Sequence, residues 1–516
     1  MEARDQWRSR AGFILSTVGA AVGLGNFWRF PFMAYENGGG AFLLPYFVAL
    51  LTAGVPLMIL EFGYGHKMRA AAISAFGRLS RKWEWIGWWQ VMIPVVVVTY
   101  YSVIIGWALN YMIYSFTQAW GADPGAFFSG RFLGVSAGPW DFQGIRWHLL
   151  VATAVIWWVN YYYAVKGISA GIEAACRWMT PTLGILMVII AIRGLTLPGA
   201  AHGLNFFLQP DFSRILDPQV WVAAYGQVFF SATLAVGVMI AYASYLPRKS
   251  DLVNSAFITV FANSSFDFLA GLAVFSVLGY IATTTGVPFE EIATSGAGVA
   301  FVAFPKGISL LPMPYWAQVI FGLMFFFALL VAGISSSLSM FEAFASALID
   351  RTGADRKNLL RKLALVGFLV SSLYTTGAGV HILDIVDHFV SSYGIAVLGL
   401  LEAVVLGWLY GTEKIRAHVN PLSDFPVGRW WDVLVKYVTP VLLGYNILNN
   451  LIREFQQPYG GYPQSAILVF GWSVVLGMVA AALYLSYRLA GATVPSRAGY
   501  SRTGHLTKVP AETEGD

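Results

Sequence analysis

The chain has 516 residues, of which 57% are hydrophobic, 16% aromatic and only 11% charged. Soluble domains carry roughly 25% charged residues, so most of this surface is not built to face water. The formal charge of +5 gives no reason to expect nucleic-acid binding, and the single cysteine, Cys176, excludes an internal disulfide.

The opening MEARDQWRSR is charged and is not followed by a cleavable pattern, so no removable signal peptide is expected. Beyond it, apolar runs near twenty residues recur, each long enough to cross a bilayer as a helix. The ten-residue polar/apolar alternation of a transmembrane β-barrel is absent. The pattern predicts twelve helices, at 11–35, 39–66, 86–119, 147–165, 171–196, 220–246, 251–284, 314–350, 359–377, 384–411, 431–455 and 464–488. An even number puts both termini on one side. Counted over the segments between spans, 24 Lys and Arg fall on that side and 6 on the other. The positive-inside rule therefore makes the termini cytoplasmic. The polar tail over 491–516 is expected to be disordered.

Span 1 reads STVGAAVGLGNFWRFP, with three glycines, an Asn and an Arg inside an apolar helix. Glycine weakens a helix interior, and a break near Ala21–Gly25 follows. Broken helices occur at membrane depth only where the freed backbone is buried or lines a cavity. The freed carbonyls can then face a cation and the freed N–H groups an anion. A glycine-mediated helix contact is the plainer alternative. Arg29 weighs against it, because an arginine inside a span requires a partner or water. The acidic candidates are few, and the notable ones near or within spans are Glu61, Asp267, Asp384, Asp387 and Glu402. Span 6 contains FSATLAVG, where only Gly237 is helix-weakening, so its residues alone argue less for a break. In span 7, Asn263 and Asp267 share a face at i and i+4. In span 8, Ala332, Ser335 and Ser336 share a face too. Their carbonyl and hydroxyls make a neutral oxygen site suited to an alkali cation, or simply packing glue. There is no P-loop, nucleophile motif or His/Asp/Glu cluster, so an enzyme is not expected. His388 beside Asp387 reads as structural.

The segment GAAVGLGNFWRFPFMAYENGGGAFLLPYF at 19–47, then GQVFFSATLAVG, AYASY, AGISSS and the Asp387 region, resemble the neurotransmitter:sodium symporter family in order and spacing. The resemblance covers nearly the whole chain. It implies an all-α integral membrane protein of twelve transmembrane helices with the LeuT fold. Spans 1–5 (11–196) and 6–10 (197–411) would form an inverted repeat with helices 1 and 6 broken. Residues 412–490 would hold spans 11 and 12, and 1–10 an inner-gate segment.

The resemblance also implies roles. A first sodium site would use the Ala21 carbonyl with Asn26, Ser231 and Asn263, completed by the substrate carboxylate. A second would use carbonyls of Gly19, Val22 and Ala332 with Ser335 and Ser336. The substrate carboxylate would meet the amides of Leu24 and Gly25 and the Tyr101 hydroxyl. Its ammonium would meet carbonyls of Ala21, Phe230 and Ser231 near Thr233. Its side chain would lie among Val97, Tyr101, Phe230, Val236, Ser336 and Met340. Gly23 stands where monoamine carriers have an aspartate, which favours an amino acid. Val236 and Met340 favour a large apolar or aromatic one. Arg29 and Asp387 would form the outer gate; Arg4 near Trp7, with Asp350, the inner one. The Gly171–Pro181 stretch would unwind toward the cytoplasm. Chloride-dependent relatives have serine at the position of Asp267, so this carboxylate, near Tyr46 and Gln227, would replace chloride. The expected function is chloride-independent, two-site sodium symport of a neutral amino acid into a bacterial or archaeal cell. The alternatives are proton-coupled exchange through Asp267 or Glu402, and an amino-acid sensor that keeps the fold.

Overall fold

A computed structural model describes residues 5–289 and 296–489. Arg4 and the 491–516 tail lie outside the described residues. Among the described residues all regular structure is helical, apart from one isolated bridge between Ile145 and Thr376.

Side-chain caps set where several helices begin. Ser9 accepts from Gly12 N at 2.9 Å and starts α1 (Arg10–Ala21). After it come α2 (Leu24–Glu36), α3 (Gly40–Met68), α4 (Ala72–Leu79), α5 (Glu84–Tyr114), α6 (Trp147–Val165), α7 (Ile168–Leu195) and α8 (Ala200–Leu208). Asp217 accepts from Gln219 N at 2.9 Å and Pro218 occupies the first turn of α9 (Pro218–Ser231). Then follow α10 (Val238–Ser244), α11 (Val253–Thr285), α12 (Val299–Leu310) and α13 (Tyr315–Thr352). Asp355 caps α14 (Arg356–Ser371). The last helices are α15 (379–411), α16 (Thr412–Val419), α17 (429–456) and α18 (Gln464–Arg488).

Each of the twelve predicted stretches is occupied by helix. By length and composition, seven helices among the described residues are apolar enough to cross a membrane, and α1 with α2, bent by 52°, makes an eighth. The buried apolar residues form one continuous core through the bundle, with a smaller cluster around Val98, Trp157 and Phe341. Close backbone approach is part of that packing. A Cβ on Gly65 of α3 would sit 2.2 Å from the Ile240 carbonyl oxygen of α10.

Two chain breaks lie at the centre. The first is where the glycines predicted it. Val22 turns to an extended conformation (φ −73°, ψ 108°), Gly23 is extended, and α2 starts at Leu24. The second corrects the residue-level reading of span 6. The helix is interrupted over 232–237, with φ of 55° at Thr233, 62° at Ala235 and 70° at Gly237. Left-handed backbone costs a non-glycine residue about 1–2 kcal/mol. Tertiary contacts hold it there. Glu61 Oε1 of α3 accepts from Ala235 N at 2.7 Å, and Thr233 Oγ1 donates to the Ala20 carbonyl at 3.2 Å.

This geometry sets a stability test. Replacing Glu61 by Leu leaves the buried Ala235 N–H without an acceptor, a cost of about 1–3 kcal/mol. Glu61→Gln keeps an oxygen in place. Thermal unfolding of purified protein should show Glu61→Leu clearly below wild type and Glu61→Gln close to it. Equal midpoints for the two variants would mean that Glu61 does not hold the break.

Candidate functional site

Four helices bring polar side chains together where the breaks meet. Asn26, in the first turn of α2, accepts from Gly23 N through Oδ1 at 2.8 Å. Its Nδ2 lies 2.9 Å from Asp267 Oδ1, 3.1 Å from Asn263 Oδ1 and 3.3 Å from Ser231 Oγ. Ser231, at the end of α9, donates to Asp267 Oδ2 at 2.9 Å and accepts from Asn263 Nδ2 at 2.7 Å. Tyr46 of α3 donates to the same carboxylate oxygen at 2.5 Å. Asp267 is fully buried and takes three donors, with no ion pair among the described residues. Gln227 is buried nearby in sequence, but neither end of its amide has a hydrogen-bond partner.

A second cluster joins the end of α1 to α13. Gly19, Val22, Ala332, Ser335 and Ser336 are all buried. Ser335 Oγ donates to the Ala332 carbonyl at 3.1 Å, and a Cβ on Gly19 would lie 3.4 Å from Ser335 Cβ. Hydroxyls and carbonyls are the donor chemistry of a hard monovalent cation.

Between the clusters lies the α1–α2 break, which begins just after Ala21. Leu24 N donates to the Tyr101 hydroxyl at 2.8 Å, and Tyr101 also reaches Ser336. Two glycines make room for aromatic rings. A Cβ on Gly23 would lie 2.6 Å from the Tyr101 oxygen, and one on Gly25 would lie 2.8 Å from Phe230 Cε1. Thr233 and Val236 are buried in the α9–α10 break. Val97 packs on the main core, while Met340 packs with Val98, Trp157 and Phe341.

The two ends of the bundle differ. At one, a cavity of about 330 Å³ is lined by Arg29, Glu36, Gln219, Phe230, Ser391 and Arg453. Arg29 stands over Phe230, 4.0 Å from its ring centre, and its Nε has no partner. Asp387 accepts from Tyr100 OH at 2.6 Å and forms no ion pair with Arg29 among the described residues. A cation over an aromatic face gains about 0.5–2 kcal/mol, which offsets part of the cost of an intramembrane arginine. At the other end the bundle is sealed. Trp7 is buried, and its Nε1 donates to the Tyr242 carbonyl at 2.8 Å. Glu173 accepts from Arg8 N at 2.8 Å and Ser9 Oγ at 3.1 Å, and Arg10 pairs with Asp251 at 3.2 Å. Glu173 belongs to a π-helical turn, Ile168–Glu173, that opens α7 just ahead of Pro181. Asp350 accepts from Ala71 N at 2.9 Å.

A sequence profile of the sodium:neurotransmitter symporter family matches residues 4–124 and 121–492. The chain belongs to this family. It is 43% identical over 472 residues to an archaeal protein of Methanocaldococcus jannaschii named an uncharacterized sodium-dependent transporter, covering 92% of this chain and 95% of that one. It is 32% identical to the human sodium- and chloride-dependent GABA transporter 2, covering 96% of this chain and 88% of that one. With the bovine sodium- and chloride-dependent taurine transporter it shares 30% identity, over 94% of this chain and 85% of that one. The chain is therefore a multi-pass membrane protein of a sodium-dependent symporter family.

Several residues of this symporter's centre escaped the sequence reading. Glu61 was noted only as an acidic residue in a span; its hold on Ala235 needs the fold. Tyr100, which caps Asp387, sits beside Tyr101 and offered no separate signal. Arg453, Asn446 and Asn450, which line the vestibule, lie on α17 outside the matched motifs.

Gly23 gives a sharp test. Gly23→Ala drives a methyl into the Tyr101 hydroxyl. Sodium-dependent binding of the labelled substrate should fall at least about tenfold, a loss of about 1.4 kcal/mol. Binding equal to wild type would show that the Tyr101–Leu24 contact is not part of the site.

Proposed function

We propose that the chain is a chloride-independent importer that couples the inward sodium gradient to uptake of a neutral, large apolar or aromatic amino acid by alternating access. The supporting observation is Asp267. Its carboxylate lies among Asn26, Ser231 and Tyr46, beside Asn263. A fixed negative charge there balances a bound monovalent cation without a mobile anion. The human and bovine relatives named above are called chloride-dependent. A buried carboxylate is costly once its cation leaves, so Asp267 takes up a proton on the return step.

In this reading twelve spans form a five-plus-five inverted repeat, with both termini cytoplasmic. The sealed end then faces the cytoplasm and the vestibule faces out. Asn26, Ser231, Asn263 and the Ala21 carbonyl hold the first sodium ion together with the substrate carboxylate. Gly19, Val22, Ala332, Ser335 and Ser336 hold the second. The Leu24 and Gly25 amides begin α2, where the helix dipole favours an anion. They and Tyr101 receive the substrate carboxylate. The carbonyls of Ala21, Phe230 and Ser231, with Thr233, face the ammonium. Val97, Val236 and Met340 shape the apolar end. Phe230 with Arg29 above it, and Asp387 across the vestibule, close the outer path. Trp7, Arg4 and Asp350 close the inner one. Sodium and substrate drive the change only by binding one conformation better than the other.

The test is uptake into proteoliposomes with sodium or choline, each as chloride or gluconate. Wild type should require sodium and ignore chloride. Asp267→Ser should require both. Sodium-independent uptake would end the symport reading, and a wild type that stops in gluconate would end the role given to Asp267.

The outer gate is checked separately. Asp387→Ala should slow uptake strongly, by about tenfold or more, while initial sodium-dependent binding stays near wild type. Full transport by this variant would remove Asp387 from the gate.

A further inference from the structure

Two histidines meet at the sealed end of the bundle. His66, in the last turn of α3, is buried. Its Nδ1 lies 2.9 Å from Nε2 of His418 on α16, and its Nε2 lies 2.9 Å from the Pro247 carbonyl oxygen. The tautomers follow from these contacts. A carbonyl oxygen can only accept, so His66 Nε2 carries a hydrogen. In the neutral ring His66 Nδ1 is then an acceptor, and His418 Nε2–H donates to it. One proton arrangement thus links α3, the chain just after α10, and α16.

The surroundings resist any added charge. From α3, Lys67 donates to the Lys414 carbonyl at 2.6 Å, and just beyond the helix Arg69 donates to the Leu246 carbonyl. Arg248 and Lys249 follow Pro247 in the chain. On α16, Glu413 is paired with Lys436, and Arg416 with Asp432 of α17 at 3.1 Å. The acidic groups here thus already have cationic partners, while His66 and His418 face Lys67 and Arg69. α16 lies beyond the 384–411 span, after a turn at Gly411 (φ 96°). Burial first, then His66, Lys67 and Arg69, push His418 down from 6.5 to about 4.

The contact reaches the seal itself. Pro247 and Leu246 follow α10, and the carbonyls of Tyr242 and Tyr245 at the end of α10 hold Trp7. Trp7 leads into α1, whose Gly19 faces Cys176 of α7: a Cβ there would lie 3.5 Å from the sulfur. Cys176 is buried.

We propose that His66 and His418 form a proton-operated latch: neutral, they hold α16, Pro247 and α3 together and keep this end shut; charged, they part and let the end of α10 move with Trp7 and α1. The sign follows from linkage. A base depressed in the closed state stabilises that state fully above its free pKa, near 6.5, and the stabilisation is lost as pH falls from there toward 4. Acid at the sealed end therefore favours opening. Only its meaning for transport, that cytoplasmic acidity speeds the inward-opening step, rests on the alternating-access reading.

The test uses the full chain in nanodiscs, with Cys176, the chain's single cysteine, as reporter. Its labelling rate with N-ethylmaleimide is divided by the rate in detergent-unfolded protein at the same pH, which removes the thiol's own titration. For wild type this ratio should rise about tenfold from pH 7.5 to 5.5, below the roughly hundredfold that one proton allows over two pH units. His66→Gln/His418→Gln should abolish the rise. A flat wild-type profile, which needs no variant, overturns the latch, as does an unchanged rise in a folded double variant. Sodium should slow labelling in both proteins. A rise on acidification that survives while sodium has no effect would sink the symport reading and leave the latch standing.

Discussion

Asn26 works in two directions, and the centre of the molecule depends on both. Its carbonyl oxygen takes the N–H of Gly23 and so starts a helix immediately after a break. Its amide reaches Asp267, Asn263 and Ser231 on two other helices. A broken helix in a membrane must satisfy its free backbone groups internally. Here the residue that satisfies one of them also ties the break to the polar cluster. Local backbone geometry and long-range contacts are thus parts of one network.

The network explains why some of the site was legible in sequence and some was not. Gly19, Gly23 and Gly25 announce the first break through local propensity alone, and the break falls inside the predicted window. Asn263 and Asp267 announce a shared face through helical spacing, and both do reach the same cluster. The second break had only Gly237 to signal it. Its strain sits on Thr233 and Ala235, and what holds it is Glu61, 174 positions away from Ala235. No window of sequence contains that cause. Motif context puts Gln227 near Asp267; it is buried, and its amide joins no hydrogen bond among the described residues. Met340 shares the face of Ser336 by spacing and packs against the smaller apolar cluster.

The two ends of the bundle are closed by different physics. At the vestibule a single guanidinium rests on one ring, and the carboxylate across from it is engaged by a phenol. Few contacts must change for that end to shut. At the sealed end, Trp7 is held by the carbonyl of Tyr242, Arg8 and Ser9 by Glu173, and Arg10 by Asp251. Separating the N-terminal segment from that end would give up several bonds together.

The interrupted helices also bear on how the chain enters its membrane. α10 has seven residues and α9 fourteen, about 10 and 21 Å at 1.5 Å per residue, against a hydrocarbon core of about 30 Å. Neither can insert as a stable span on its own hydropathy. α3 supplies the acceptor for Ala235, in the break between them, and the glycine surface against Ile240 of α10. The break between α9 and α10 is therefore held by a helix more than a hundred residues earlier in the chain. α3 is complete before the segment from 218 to 244 is made, so the acceptor for Ala235 already exists when that residue emerges.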